Sequence, residues 1–136
     1  PQFDTRQLTN DIGVVILAQD APVAPIALND TMNASWQGRP LTFVGFGATN
    51  GRTGAGGGTK RAVSIALSQI GSTQFAYVDR TKNTCFGDSG GPAFAQDAAG
   101  NLLLAGVTSY GDQTCTQFGV DTRVDAFKSF IAAAQQ

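Results

Sequence analysis

The sequence contains no histidine and no glutamate, and only two cysteines. The missing histidine removes the commonest general base and the commonest zinc ligand together. Two cysteines without histidine are a poor start for a four-ligand structural zinc site. The ten acidic residues are all aspartate, and they lack the alternating spacing of an EF-hand calcium loop. No metal and no cofactor is indicated. Nine Lys and Arg are spread thinly and the net charge is −1, so there is no basic cluster to attract nucleic acid or anionic lipid. Long apolar runs are also absent. The longest, Ile12–Ala18 and Leu102–Val107, are strand-sized and too short to span a membrane.

What is present points to a β protein. The chain of 136 residues is long enough for one modest core, and with 42% hydrophobic and 14% charged residues it is not a disordered composition. The 17 glycines suit short strands joined by tight turns. Aspartate without glutamate favours turns and caps over helices. Val, Ile, Thr and Phe recur in short runs rather than helical stripes.

Ile12–Leu17 is a continuous apolar run, as in a strand buried on both faces. Asp20–Pro25 ends it with two prolines and reads as a connector. Further strands are expected at Leu41–Phe46, Arg61–Ile70, Phe75–Val78, Pro92–Ala95, Leu102–Ser109 and Gly119–Arg123. In Arg61–Ile70, Val63, Ile65 and Leu67 alternate with Ala62, Ser64, Ala66 and Ser68, a half-buried strand. Thr49–Thr59 is a glycine-rich loop and Asp97–Asn101 a turn. Asp125 is positioned to cap a terminal helix whose Phe127, Phe130 and Ile131 share one face. Short strands followed by one amphipathic helix fit a small antiparallel barrel.

Two cysteines too far apart for a CxxC redox pair suggest a disulfide in an exported protein, or else two buried thiols in a cytosolic one. The segment Cys85-Phe86-Gly87-Asp88-Ser89-Gly90-Gly91-Pro92 carries the chemistry. Three glycines and a proline around one serine make a sharp bend with little side-chain bulk. Such a bend can present a hydroxyl outward and gather N–H groups into one concavity, which a nucleophile with an oxyanion hole requires. Gly-Asp-Ser-Gly alone also suits an ordinary hairpin turn. Lipases with a Gly-Asp-Ser motif place it near the N-terminus and follow the serine with an apolar residue, unlike this chain.

The longer string resembles the active-site motif of the trypsin/chymotrypsin-like serine proteases. The resemblance implies an all-β, chymotrypsin-like antiparallel barrel with a C-terminal helix and a serine endopeptidase activity on protein or peptide substrates. It implies Ser89 as nucleophile, the N–H groups of Gly87 and Ser89 as oxyanion hole, and Asp88 as the acid that pairs with a new N-terminal amine after activation. Asn10-Asp11-Ile12 resembles the segment bearing the acid that orients the catalytic histidine, although an Asp before an apolar run is also an ordinary strand end. Gly106–Gly111 resembles the substrate-pairing strand, with Ser109 approaching Asp11 and Ser109, Tyr110 and Gly111 binding substrate. Cys115 would then bond to Cys85. Val44-Gly45-Phe46-Gly47 and Gly119–Val124 resemble an early and the final strand of the second barrel. Asn83 falls at the floor of the primary specificity pocket and Gly111 and Gly119 at its walls. An open pocket without a floor acid implies a large uncharged side chain, with Asp112 or Asp121 able to contribute from nearby.

The family's general base, its mature N-terminus and most of its first barrel have no counterpart here. The expectation is a C-terminal portion: residues 1–25 a remnant of the N-terminal barrel with the connector, 26–123 the C-terminal barrel, and 124–136 the helix. A missing N-terminal barrel would be the partner carrying the histidine. This chain by itself should be hydrolytically inert, and the whole protein secreted. The competing reading is a non-catalytic, protease-like binding module that has lost its base.

Overall fold

The computed structural model describes residues 1–135. Seven strands form, β1 Ala27–Leu28, β2 Pro40–Gly45, β3 Arg61–Ile70, β4 Gln74–Val78, β5 Pro92–Gln96, β6 Leu102–Gly111 and β7 Phe118–Arg123. Short 3-10 turns occupy Ala34–Trp36 and Asp125–Phe127, and the chain ends in helix α1, Lys128–Ala134. The sheet order is β1-β6-β5-β2-β3-β4-β7, and β6 also pairs with β7. Strands β2 to β7 therefore close into an antiparallel barrel, with β1 added in parallel at β6. Closure removes the free edges that an open sheet of this size would expose.

The alternation in β3 has the expected consequence. Ile65 and Leu67 are buried while Ala62, Ser64 and Ala66 face solvent. Leu41, Phe43, Phe75, Tyr77, Ala93, Ala95 and Ala105 complete the interior with Met32 and Trp36 at one end. Gly106 on β6 makes room for Phe75, since a Cβ there would fall 2.5 Å from its ring, and the ring centroids of Phe43, Phe75 and Tyr77 lie 4.3 Å (Phe43–Tyr77) and 6.5 Å (Phe75–Tyr77) apart.

Two expectations need correction. Ile12–Leu17 is not a strand, and Val15, Ile16 and Leu17 are 82%, 70% and 61% exposed. A strand needs a ladder, and among the described residues nothing pairs with this segment. Asp125 does not cap the terminal helix; its carboxylate accepts from Met32 N–H at 2.7 Å and from Arg123. Arg123 also donates to the carbonyls of Met32 (2.6 Å) and Gly71 (2.5 Å), so one guanidinium ties the end of β7 to the β3–β4 turn and to the segment before β2. Strand β1 and the first 3-10 turn are too short to leave a period in the sequence.

The arm of residues 1–26 meets the barrel through side chains. Gln74 Nε2 donates to the Leu8 carbonyl at 2.7 Å, and Ser109 Oγ donates to Asp11 Oδ2, also at 2.7 Å. Among the described residues no helix is long and apolar enough to cross a membrane.

Candidate active site

The loop between β4 and β5 turns twice around Ser89. Asp88 N–H donates to the Cys85 carbonyl and Gly91 N–H to the Asp88 carbonyl, each at 2.9 Å. Gly87 and Gly90 have φ of 93° and 79°, a left-handed conformation that a side chain would strain. This is why the sequence needs glycine on both sides of Asp88-Ser89. Ser89 itself is exposed. Among the described residues, no protein acceptor takes the N–H groups of Gly87 and Ser89.

Asp88 anchors the loop from beneath. Its Oδ1 accepts from Gly47 N–H and its Oδ2 from Cys85 N–H, both at 2.8 Å. The contact is close enough to dictate glycine at two positions on the facing chain. A Cβ at Gly45 would fall 1.9 Å from Asp88 Oδ1, and one at Gly47 would fall 2.5 Å from Asp88 Cγ. The Gly-Phe-Gly spacing at the end of β2 thus serves Asp88.

The far side of the loop is stitched to β6. Gly90 N–H donates to the Thr108 carbonyl and Thr108 N–H to the Gly91 carbonyl, each at 2.9 Å. Thr108 precedes Ser109, whose hydroxyl holds Asp11. One short stretch of β6 therefore brings the Ser89 loop and Asp11 to the same end of the barrel. The Cys85–Cys115 bond forms, with Cα atoms 5.2 Å apart, and joins the Ser89 loop to the β6–β7 loop. That second loop is organised by Asp112, which accepts from the Thr114 hydroxyl and from the backbone N–H groups of Thr114, Thr116, Gln117 and Phe118. Burial would raise the Asp112 carboxyl, but the Thr114 hydroxyl and these N–H groups outweigh it and hold it well below the usual carboxylate range.

The expected substrate residues divide between the β6–β7 ladder and a cavity beside the serine loop. Gly111 faces Gly119 and Tyr110 faces Val120 across the β6–β7 ladder. Asn83 instead lines a cavity of about 530 Å³ with Asp88, Cys85 and Gly47. Arg52, Arg61, Arg80 and Lys82 line that cavity too, and Asp88 is its one acid. The Asn83 side chain accepts from Thr84 N–H, while its buried Nδ2 has no partner among the described residues. Gly119 is not an open wall, because a Cβ there would fall 2.3 Å from the Tyr77 ring.

Sequence reasoning missed the buried group that fills this space. Tyr77 Oη lies 2.7 Å from Thr84 Oγ1 and donates to Asp121 Oδ1 at 3.0 Å. Asp121 is fully buried, and burial pushes its carboxyl up to about 8, with the Tyr77 hydrogen bond pulling part of the way back. Tyr77 is pushed well above its ordinary value by burial and then by the neighbouring Asp121. A signal did exist. Asp121 sits two residues from Gly119 on an inward-facing register, and an acid there calls for a hydroxyl partner.

The comparisons with known proteins agree with this geometry. The family profile described as Trypsin matches residues 1–131. Trypsin-3 of Salmo salar is 29% identical over 153 aligned positions, which cover 98% of this chain and 61% of the relative. Melanization protease 1 of Drosophila melanogaster is 28% identical, over 96% of this chain and 40% of the relative. A trypsin-like protease of Streptomyces glaucescens is 46% identical over 55 positions, 38% of this chain and 20% of the relative. The chain spans less than two thirds of the length of the relatives it matches. With a closed antiparallel barrel, a glycine-framed serine loop and the disulfide beneath it, the chain belongs to the trypsin family of serine peptidases.

Proposed function

We propose that this chain supplies the nucleophile, the orienting acid and the oxyanion hole of a secreted serine endopeptidase. The carrying observation is the connection of the Ser89 loop, through Thr108 and Ser109, to Asp11. Ser89 is the nucleophile and Asp11 the acid that orients the base. The base is a histidine from a first barrel outside this sequence, which itself contains none. Residues 1–25 belong with that barrel, which would cover the exposed Val15, Ile16 and Leu17. Residues 26–123 form the second barrel and 124–136 the terminal helix region. The disulfide suits an oxidising compartment.

The chemistry is acyl transfer. Ser89 Oγ forms a bond to the substrate carbonyl carbon as its proton passes to the histidine. The carbonyl oxygen gains negative charge, and the free N–H groups of Gly87 and Ser89 stabilise it. The histidine returns the proton to the departing amine, and water releases the acyl group by the same path. Asp88 receives the amine created by activation cleavage. Ser109, Tyr110 and Gly111 pair with the substrate backbone, and Asn83 and Gly119 border its side chain. Without the histidine Ser89 remains a neutral alcohol. Binding and oxyanion stabilisation would then contribute only on the order of 10³–10⁴ over water.

A fluorophosphonate probe tests this on the full-length protein. Covalent labelling at Ser89, lost in Ser89→Ala, is the expected result. A full-length protein that binds peptide but never labels at Ser89 would instead be a non-catalytic binding module.

A further inference from the structure

We propose that Tyr77 sets the depth of the primary substrate pocket and restricts it to small, uncharged side chains, an inference that rests on the serine-peptidase reading above. Tyr77 and Gly119 stand opposite each other across the β4–β7 ladder. A Cβ at Gly119 would fall 2.3 Å from Tyr77 Cε2, 2.4 Å from Cζ and 2.5 Å from Oη. The outer half of the phenol ring therefore occupies the space where a side chain at 119 would begin. A glycine that would otherwise open a deep pocket here makes room for the protein's own ring.

The ring is fixed at both ends. Its hydroxyl meets Thr84 Oγ1 at 2.7 Å and Asp121 Oδ1 at 3.0 Å, so it bridges the segment bearing Asn83 and the strand bearing Gly119. Phe43 packs against the ring with centroids 4.3 Å apart, and Tyr77 has no exposed surface. Swinging the ring aside would strip Asp121 of its Tyr77 partner, and among the described residues the second Asp121 oxygen already has none. The blockage is thus part of the packed core rather than a movable gate.

The same arrangement decides against a cationic substrate side chain. Asn83, at the expected floor, is neutral, and Asp121 is fully buried and accepts from the Tyr77 hydroxyl. Burial pushes that carboxyl up to about 8, which favours its neutral form and weakens any pull on a substrate cation. A pocket closed by a phenol and a threonine, with the acid buried and held by that phenol, suits alanine, serine or valine. Phenylalanine and leucine are too long, and arginine lacks a counter-charge.

The test uses the full-length protein and peptidyl diphenyl phosphonates that differ only at the residue entering this pocket (Ala, Val, Phe or Arg), with labelling of Ser89 followed by mass spectrometry. The Ala and Val probes should label at least about tenfold faster than Phe or Arg, the scale of discrimination set by a few methylenes. Tyr77→Ala should raise Phe labelling relative to Ala by a similar factor, while Tyr77→Phe, which keeps the ring, should retain the small-residue preference. Wild-type protein that labels as fast with Phe or Arg overturns the proposal and leaves the serine nucleophile intact, whether or not either variant folds. No labelling of Ser89 by any probe removes the nucleophile assignment and this inference with it.

Discussion

Ser109 Oγ donates to Asp11 Oδ2 across 2.7 Å, bringing a residue of the N-terminal arm against the C-terminal end of β6. The bond does two jobs: it tethers an arm with few other attachments and fixes the direction of the Asp11 carboxylate. Ser109→Ala should lower stability by about 1–2 kcal/mol and speed hydrogen exchange around residues 9–13, read by mass spectrometry. Unchanged exchange in the variant would show that the arm is held by other means.

On the proposed role of Asp11, Asp11→Asn should leave the fold intact yet cut turnover by the full-length protein about 10⁴-fold, the loss seen when the orienting acid of a Ser-His-Asp triad becomes an amide. Steady-state kinetics on a peptide substrate check this. A loss below tenfold would remove Asp11 from the catalytic group.

Gly45→Ala should displace the Asp88 carboxylate, because its methyl would fall 1.9 Å from Oδ1. The expected cost is about 1–3 kcal/mol by overpacking, together with slower phosphonate labelling of Ser89. Gly13→Ala is the control, since nothing lies within 4 Å of its Cβ position. Equal thermal shifts for the two variants would contradict the anchoring role of Asp88.

Replacing Cys85 and Cys115 by serine should cost about 3.6 kcal/mol, from the chain entropy released when a loop with a separation of 30 residues is opened. The loss is measurable by denaturant titration. It should be accompanied by faster proteolysis between Asn83 and Ser89.

Asp121 gives stability a distinctive pH dependence. Its folded carboxyl is pushed up to about 8, against about 3.9 for an unfolded aspartate. Between those values the folded protein holds a proton that the unfolded chain lacks. The contribution of Asp121 is therefore full below about pH 4, falls as pH rises through the window, and levels off above about pH 8. The slope is at most about 1.4 kcal/mol per pH unit. Asp112 has the opposite sign, since its lowered carboxyl adds stability above about pH 4 that is lost in acid. Urea midpoints at pH 5, 6.5 and 8 should decline for the wild type and flatten in Asp121→Asn. Parallel declines would place the titrating group elsewhere.

Much of this architecture is legible in the residues themselves. The β3 alternation, the glycine-framed serine and the cysteine pair each encode a local physical requirement that the fold satisfies. Ile12–Leu17 misled because an apolar run reports a need for burial, not the presence of a partner to provide it. The Tyr77–Asp121 pair was hidden for a different reason. It joins side chains on two strands whose register no single-strand period reveals, and it turns a glycine that looked like open space into a contact surface.

The Asp88 cradle also defines a unit of transplantation. The serine loop takes its shape from two backbone donors to Asp88, Gly47 N–H just beyond β2 and Cys85 N–H within the loop itself. Anyone grafting Cys85–Pro92 into a foreign barrel would have to carry Val44–Gly47 with it, since a host residue with a β-carbon at 45 or 47 would evict the carboxylate. The portable module is two segments distant in sequence, and neither would keep its form if moved alone.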